Sequence, residues 1–201
     1  MENTQSVINP NVTNLATDCN YLEEEFWLTP QIVVWYCDGD KKKAHCADKY
    51  YSRWAWDGNR DRTPPVKVTW THPAFWRSWN RALAFLINNR SRYKGLGIVL
   101  PYPYLQKRGY TCVDLDWKHL PGPTPLQLEI LAAFIGKTYI EWSPSGLGVH
   151  IWFRGTIGNC RRGKEVEIYS HSRFLTITRQ PYMDETGNII GNVPFADIQL
   201  N

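Results

Sequence analysis

The sequence predicts an α+β fold built around a mainly antiparallel sheet, and three observations carry that prediction. Short runs rich in β-branched and aromatic residues recur along the chain, each of strand length and bounded by turn residues. Only two longer stretches show helical periodicity or helix-boundary signals. No internal repeat or low-complexity tract interrupts the pattern, so one hydrophobic core is the economical outcome.

Residues 1–20 are polar and read as a flexible lead-in, with residues 21–201 as a single domain. A short helix is expected over residues 22–26. Residues 31–37 (QIVVWYC) are a compact strand, broken by Asp38-Gly39-Asp40 and followed by Lys41-Lys42-Lys43. Residues 50–65 mix Trp54, Trp56, arginines, Gly58 and a Pro-Pro pair, and read as an irregular insertion or hairpin. Over residues 73–88, Trp76, Trp79, Leu83, Leu86 and Ile87 recur at helical steps, with Thr71 as a cap and Pro73 tolerated in the first turn. Strands follow at 97–100 and 111–117. A helix spans 125–135, opened by Thr124-Pro125 and closed by Gly136. Further strands are predicted at 138–142, 149–154, 165–169 and 174–178, and residues 194–200 read as the start of a helix.

The 201 residues suffice for one well-buried domain. A net charge of +4 and a pI near 8.8 suit a partner carrying phosphate without demanding one. No apolar stretch approaches the ~20 residues of a membrane span. The first residues lack the basic end and apolar run of a signal peptide, so a cytoplasmic protein with no membrane partner is expected. Five scattered cysteines (Cys19, Cys37, Cys46, Cys112, Cys160) read as reduced thiols. Cys37, His45 and Cys46 raise zinc, but their spacing fits no standard knuckle, and a fourth ligand has to come from Cys19 or elsewhere. Most of the ten tryptophans belong in the core, and a minority suit stacking.

The chemistry starts at Cys112-Val113-Asp114-Leu115-Asp116-Trp117. In a strand Val113 and Leu115 face the core, while Asp114 and Asp116 point together to the other side. Carboxylates held so close repel unless a cation sits between them, and a hard divalent ion wants such oxygen ligands. Next comes Ser143-Pro144-Ser145-Gly146-Leu147-Gly148-Val149-His150, a tight loop whose amides can approach an anion, leading to a histidine on the polar face of a strand. Third is Val166-Glu167-Ile168-Tyr169, with Arg173 shortly after it; Glu167 is a further candidate metal ligand and Arg173 a candidate phosphate clamp. Each element alone is also what an ordinary surface strand or hairpin carries. Their order is what distinguishes them.

That ordered set resembles the archaeo-eukaryotic primase superfamily, in particular the primase-polymerase domains of phages and plasmids. Val113 to Asp116, Gly148 to His150 and Val166-Glu167 match its three motifs, and the likeness extends over residues 32–178. Arg179 stands where family members often carry glycine, and the segment at 50–65 is longer than usual. The resemblance implies a primase-polymerase core, in which an RRM-like antiparallel sheet carries the catalytic carboxylates and an N-terminal α/β lobe packs on it. It implies template-dependent nucleotidyl transfer, as DNA polymerase or primase, by two-metal catalysis. Asp114, Asp116 and Glu167 hold Mg²⁺ or Mn²⁺ in that picture. Ser143, Ser145, Gly146, Gly148, His150 and Arg173 bind a deoxynucleoside or ribonucleoside triphosphate. Lys41, Lys42, Lys43, Arg161, Arg162 and Lys164 contact a single-stranded DNA template, with Trp54 and Trp56 stacking on bases. A helicase, in the same or another chain, is the implied partner; the chain reads as the N-terminal part of a longer replication protein, and the 201 residues by themselves are expected to extend primers but to start them poorly or not at all.

Rival readings fare less well. A silent relative that only binds nucleotides or single strands is expected to lose carboxylates, and all three are present. A rolling-circle nuclease needs a second histidine that His150-Ile151-Trp152 lacks. An RRM-like RNA-binding module puts aromatics where this chain has Asp114 and Asp116.

Overall fold

A computed structural model of the protein describes residues 21–27, 29–48, 54–55, 66–67, 70, 72–100 and 109–198. The first element is α1 (Tyr21–Trp27), which buries Leu22, Glu25 and Phe26. A hairpin follows, formed by β1 (Ile32–Asp38) and β2 (Lys41–His45). Gly39, at a φ of 58°, closes its tight turn, a backbone conformation that glycine adopts without steric penalty. β3 (Trp54–Ala55) and β4 (Val66–Lys67) pair antiparallel as a small separate ribbon, its second strand beyond the segment read as an insertion or hairpin. The intervening residues, Trp56 among them, lie outside the described residues, as do the side chain of Trp54, Thr71 and residues 1–20.

The helix expected over residues 73–88 is split. Pro73–Phe75 forms a single 3₁₀ turn capped by His72, and α2 proper is Trp79–Asn88, with Ser78 at its N-cap. Tertiary pairing overrides local periodicity here. The Arg77 amide donates to the Ile32 carbonyl at 2.9 Å, and the Ile32 amide returns the bond at 3.0 Å. The Arg77 guanidinium donates to Asp48 at 3.0 Å. Trp76 and Trp79 therefore enter two different hydrophobic clusters.

β5 (Gly95–Leu100) joins β1 and β2, and β11 (Arg173–Ile177) completes this first sheet in the order β11-β5-β1-β2. The second sheet contains β6 (Tyr110–Asp116), β7 (Ile140–Trp142), β8 (Gly148–Arg154), β9 (Arg161–Arg162), β10 (Val166–Tyr169) and β12 (Ala196–Asp197). Its order is β12-β8-β6-β10-β9, with β7 also on β8. Only the β8–β12 pair is parallel among the described strands. The predicted α+β class with mainly antiparallel sheets is therefore present. The start of a helix expected at 194–200 is instead β12, whose pairing to β8 no local pattern reveals.

α3 (Pro125–Phe134) connects β6 to β7. Both strands run antiparallel to β8, which lies between them, so β6-α3-β7 is a split β-α-β unit. Thr124 and Gln127 form a reciprocal capping box at the start of α3. The Gln127 amide also donates to the Asp116 carbonyl at 3.2 Å and to the Glu165 carbonyl at 2.6 Å. This buried side chain thus ties the ends of β6 and β10 together.

The strand alternation sorts the second sheet into two faces. Val113, Leu115, Val149, Ile151 and Phe153 pack under α3 with Leu131. On the other face, Tyr110, Cys112, Trp152 and Tyr169 close a larger core against α1, α2, β1 and β5. A partly buried ion pair pins α1 to this core: Arg154 donates to Glu25 at 2.7–2.8 Å, and the Tyr110 hydroxyl donates to the other Glu25 oxygen at 3.1 Å. Further along the same face of β6 the apolar residues give way to Asp114 and Asp116, and the site begins there.

Candidate active site

The second sheet lines up its charged residues by register. On one side of Asp114 in β6 stands His150 of β8, and on the other Glu167 of β10. The row continues outward from His150 to Glu141 of β7, and from Glu167 to Arg162 of β9. Glu141, His150, Asp114, Glu167 and Arg162 therefore share one line across five strands. Asp116 sits two residues along β6, opposite Gly148. The structure brings Asp114, Asp116, Glu167 and His150 into one neighbourhood, as the motif order implies.

Asp114 is mostly buried, its side chain 22 % exposed. Burial raises its pKa above the ordinary carboxylate value, the charges of Asp116 and Glu167 push the same way, and His150 and Lys42 oppose them. Asp116 is more open and differently held. Its partial burial favours protonation, but the Lys118 amide at 2.9 Å and ammonium at 2.9 Å outweigh that and lower its pKa. Glu167 accepts a hydrogen bond from the Tyr169 hydroxyl at 2.6 Å. Arg173 donates to that same hydroxyl at 3.2 Å and stacks its guanidinium over the Tyr169 ring at 4.9 Å. Arg173 thus reaches the acidic row through Tyr169. As they stand, Asp116 and Glu167 are turned to local donors, and no three His, Cys, Asp or Glu among the described residues gather at metal-ligand distance.

His150 is a buried residue, 3 % exposed. Its Nδ1 lies 3.2 Å from Glu141 Oε1 and its Nε2 3.9 Å from Asp114 Oδ1. Burial disfavours a charged ring, but the hydrogen bond to Glu141 and the charges of Asp114 and Glu141 prevail and raise its pKa.

The Ser143 to Gly148 loop commits much of its backbone to itself. The Ser143 amide donates to Gly148 O and the Gly146 amide to Ser143 O, both at 2.9 Å. The Leu147 amide donates to Ser145 Oγ at 3.2 Å, and the two serine hydroxyls lie 3.0 Å apart. Gly146, at a φ of 70°, makes the turn in open space. Gly148 is needed for a different reason. A Cβ there would stand 2.5 Å from the Leu115 carbonyl, so only glycine lets β8 lie this close to β6.

The basic residues separate into groups. Lys42 stands 5.6 Å from the Trp35 ring centroid and within electrostatic reach of Asp114 and Asp116. Lys41 and Lys43 alternate to the opposite face of β2 and are exposed. Arg161 and Arg162 are exposed on the edge strand β9, with Lys164 exposed just beyond it. Among the possible zinc ligands, Cys37 is exposed, Cys46 is buried and His45 Nδ1 lies 2.7 Å from the Cys46 carbonyl. Cys19 lies outside the described residues.

Sequence reasoning missed Glu141, Tyr169 and Lys118. A signal for Glu141 was present: a hairpin around Ser143 to Gly148 that pairs Trp142 with Val149 must pair Glu141 with His150. Tyr169 shares the face of Glu167 by simple alternation. The departure at Arg179 also acquires a structural account. Its φ is 62°, the left-handed region that glycine favours; its guanidinium pairs with Glu23 of α1 and lies over the Trp79 ring.

No protein-family model matches the chain, and no curated protein matches it in sequence. Among the described residues no helix is long and apolar enough to cross a membrane.

Proposed function

We propose that this chain is a template-dependent nucleotidyltransferase of the primase-polymerase kind, a DNA polymerase or primase serving replication of a phage, plasmid or other mobile element. The observation that carries the reading is the register row in which Asp114 lies between His150 and Glu167, with Asp116 on the same face. Three motifs scattered over more than fifty residues of sequence meet on adjacent strands. The split β-α-β unit bearing Asp114 and Asp116 suits an RRM-like sheet, and the sheet of β1, β2 and β5 with α2 suits an N-terminal lobe to which the chain returns through β11.

The donor set fits a hard divalent cation, Mg²⁺ or Mn²⁺. It consists of three carboxylates, and burial and mutual repulsion strain the ionised state of Asp114 in a way that a cation relieves. Asp114, Asp116 and Glu167 would hold the ion. An ion held there would supply Lewis-acid assistance to attack of a primer 3′-hydroxyl on the α-phosphate and charge neutralisation for the departing pyrophosphate. The chain's own residues orient the reactants. Arg173, braced by the Tyr169 hydroxyl, clamps triphosphate oxygens, and His150 offers Nε2 from the floor of the row. The hydroxyls of Ser143 and Ser145 complete that side. Lys42 adds positive charge facing the carboxylates, and Arg161, Arg162 and Lys164 line the β9 edge for the phosphates of a single strand.

A second reading, a silent relative that binds nucleotide or single strands, is favoured by the turning of Asp116 to Lys118 and of Glu167 to Tyr169. Incorporation of deoxynucleotides or ribonucleotides on a primed single strand, with Mg²⁺, with Mn²⁺ and with chelator, separates the two. Template-directed product that needs the metal supports the enzyme. Strand binding that weakens steeply with salt, without product under any metal, supports the silent relative.

A further inference from the structure

Glu141 is the most completely enclosed carboxylate near the site, at 0 % exposure, and nothing in the chemistry above uses it directly. Its two oxygens are divided between two elements. Oε2 accepts from the Thr178 amide at 3.1 Å and the Arg179 amide at 3.0 Å, and it shares the Thr178 hydroxyl, at 3.0 Å, with the Trp142 carbonyl at 2.7 Å. Those donors sit just past β11, where Arg179 takes its left-handed turn. Oε1 accepts from the Trp152 indole at 3.4 Å and from His150 Nδ1 at 3.2 Å.

Each amide and indole partner can only donate, so Glu141 fills both oxygens as an acceptor and requires a proton on His150 Nδ1. That fixes which edge of the ring is spent. Nδ1 is used inward, and Nε2 turns to Asp114, whose oxygen at 3.9 Å is too distant for a hydrogen bond. Among the described residues no hydrogen bond to Nε2 is formed, so that edge of the ring is left to face a ligand brought into the row.

We infer that Glu141 is a positioning residue, held by the Thr178–Arg179 turn, that acts on the site through His150 by fixing the imidazole with Nε2 presented beside Asp114. Histidine side chains that carry function are commonly oriented this way by a carboxylate behind them. Here the anchor comes from the chain leaving β11, the strand whose other end carries Arg173. The two proposed phosphate contacts are therefore attached to opposite ends of one strand. The inference rests on the nucleotide-site reading for its consequence and on the hydrogen-bond geometry alone for its existence.

The test uses the full chain with dATP and Mn²⁺ as the probe, and reads binding by calorimetry and the His150 ring by ¹⁵N-edited NMR. In the wild type a hydrogen-bonded Nδ1 proton is expected downfield and slow to exchange. Glu141→Gln should lose or shift that signal and weaken dATP binding roughly tenfold, within the range of a hydrogen bond to a charged group. His150→Ala should cost as much, and the double variant no more than His150→Ala, since the two act in series. A merely structural Glu141 gives losses that multiply in the double variant. An unchanged Nδ1 signal in Glu141→Gln overturns the inference whatever the binding data say. If Glu141→Gln fails to fold, Thr178→Val removes one anchoring hydroxyl at nearly constant shape. It should weaken the Nδ1 signal and dATP binding a few-fold, with Thr178→Ser restoring both, and wild-type behaviour of Thr178→Val likewise overturns the idea. Should His150→Ala bind dATP normally while Glu141→Gln still moves the Nδ1 signal, the phosphate role of His150 falls and the positioning stands.

Discussion

Gly148→Ala is the substitution whose effect the geometry specifies most closely. The added methyl would lie 2.5 Å from the Leu115 carbonyl, 3.2 Å from the Asp116 Cα and 3.2 Å from Ser143 Oγ, whereas ordinary contact begins at 3.4 Å. Two of these neighbours are backbone and cannot rotate away, so β8 must part from β6 by close to 1 Å at the Asp116–Gly148 pair. Overpacking of this kind costs about 1–3 kcal/mol. For a chain of this length a loss of about 2 kcal/mol lowers Tm by roughly 4–8 °C. The displacement falls beside Asp116 and two residues from His150, and misplacement of about 1 Å at a reacting centre costs on the order of a hundredfold in rate. Gly146→Ala is the comparison for strand spacing: its φ of 70° strains an alanine by about 1–2 kcal/mol, but nothing lies within 4 Å of the new methyl, so β6 and β8 keep their separation. Thermal unfolding by circular dichroism and primer extension on both variants check this. A Gly148→Ala protein with wild-type Tm and wild-type extension would refute the close approach of β6 and β8.

Three further outcomes follow from the same structure. Lys118→Met frees Asp116 from a half-exposed ion pair worth about 0.2–1 kcal/mol, so Mn²⁺ should bind roughly 1.4- to 5-fold more tightly by titration, and weaker binding would show that Lys118 supports the cation instead. The raised pKa of Asp114 means that its ionisation opposes folding in chelator. Its contribution is fully present below the unfolded carboxylate pKa and is lost as pH rises through the folded value. Asp114→Asn should therefore gain stability over the wild type as pH rises through that window, by about 1.4 kcal/mol per unit separating the two pKa values. Urea titrations across pH that show a gain independent of pH would contradict this. Ser172, held at a φ of 55° where the chain passes from β10 to β11, should accept glycine with a Tm gain of roughly 2 °C, and a fall in Tm would mean its hydroxyl, 3.1 Å from His171 Nδ1, outweighs the strain.

Much of this fold was readable because alternation survives folding. Val113 and Leu115 went under α3 and Asp114 and Asp116 to the opposite face, as a period of two requires. The capped helix at Thr124-Pro125 formed for the reason its sequence announces, a reciprocal capping box. The failures share a different cause. Residues 73–88 keep helical spacing throughout, yet Arg77 is drawn into pairing with Ile32 and Asp48, contacts made across more than twenty residues of sequence. β12 exists only because the edge of β8 is there to pair with. At the site, the motif residues were legible and their supports were not. Glu141 looks like any strand glutamate until the Thr178 turn closes over it, and Lys118 and Tyr169 hold Asp116 and Glu167 through bonds that the motif pattern did not reveal.

The central claim is that Asp114 and Asp116 are the carboxylates of a metal-dependent nucleotidyltransferase, and paired substitution tests it most directly. Asp114→Asn with Asp116→Asn keeps shape and hydrogen-bonding capacity while removing both charges, and relief of their repulsion leaves the fold intact. Extension of a primed single strand by this variant, in Mg²⁺ or Mn²⁺ beside the wild type, is the measurement. The account predicts template-directed product from the wild type and none from a variant that is folded by circular dichroism. Equal extension by the two proteins would contradict it.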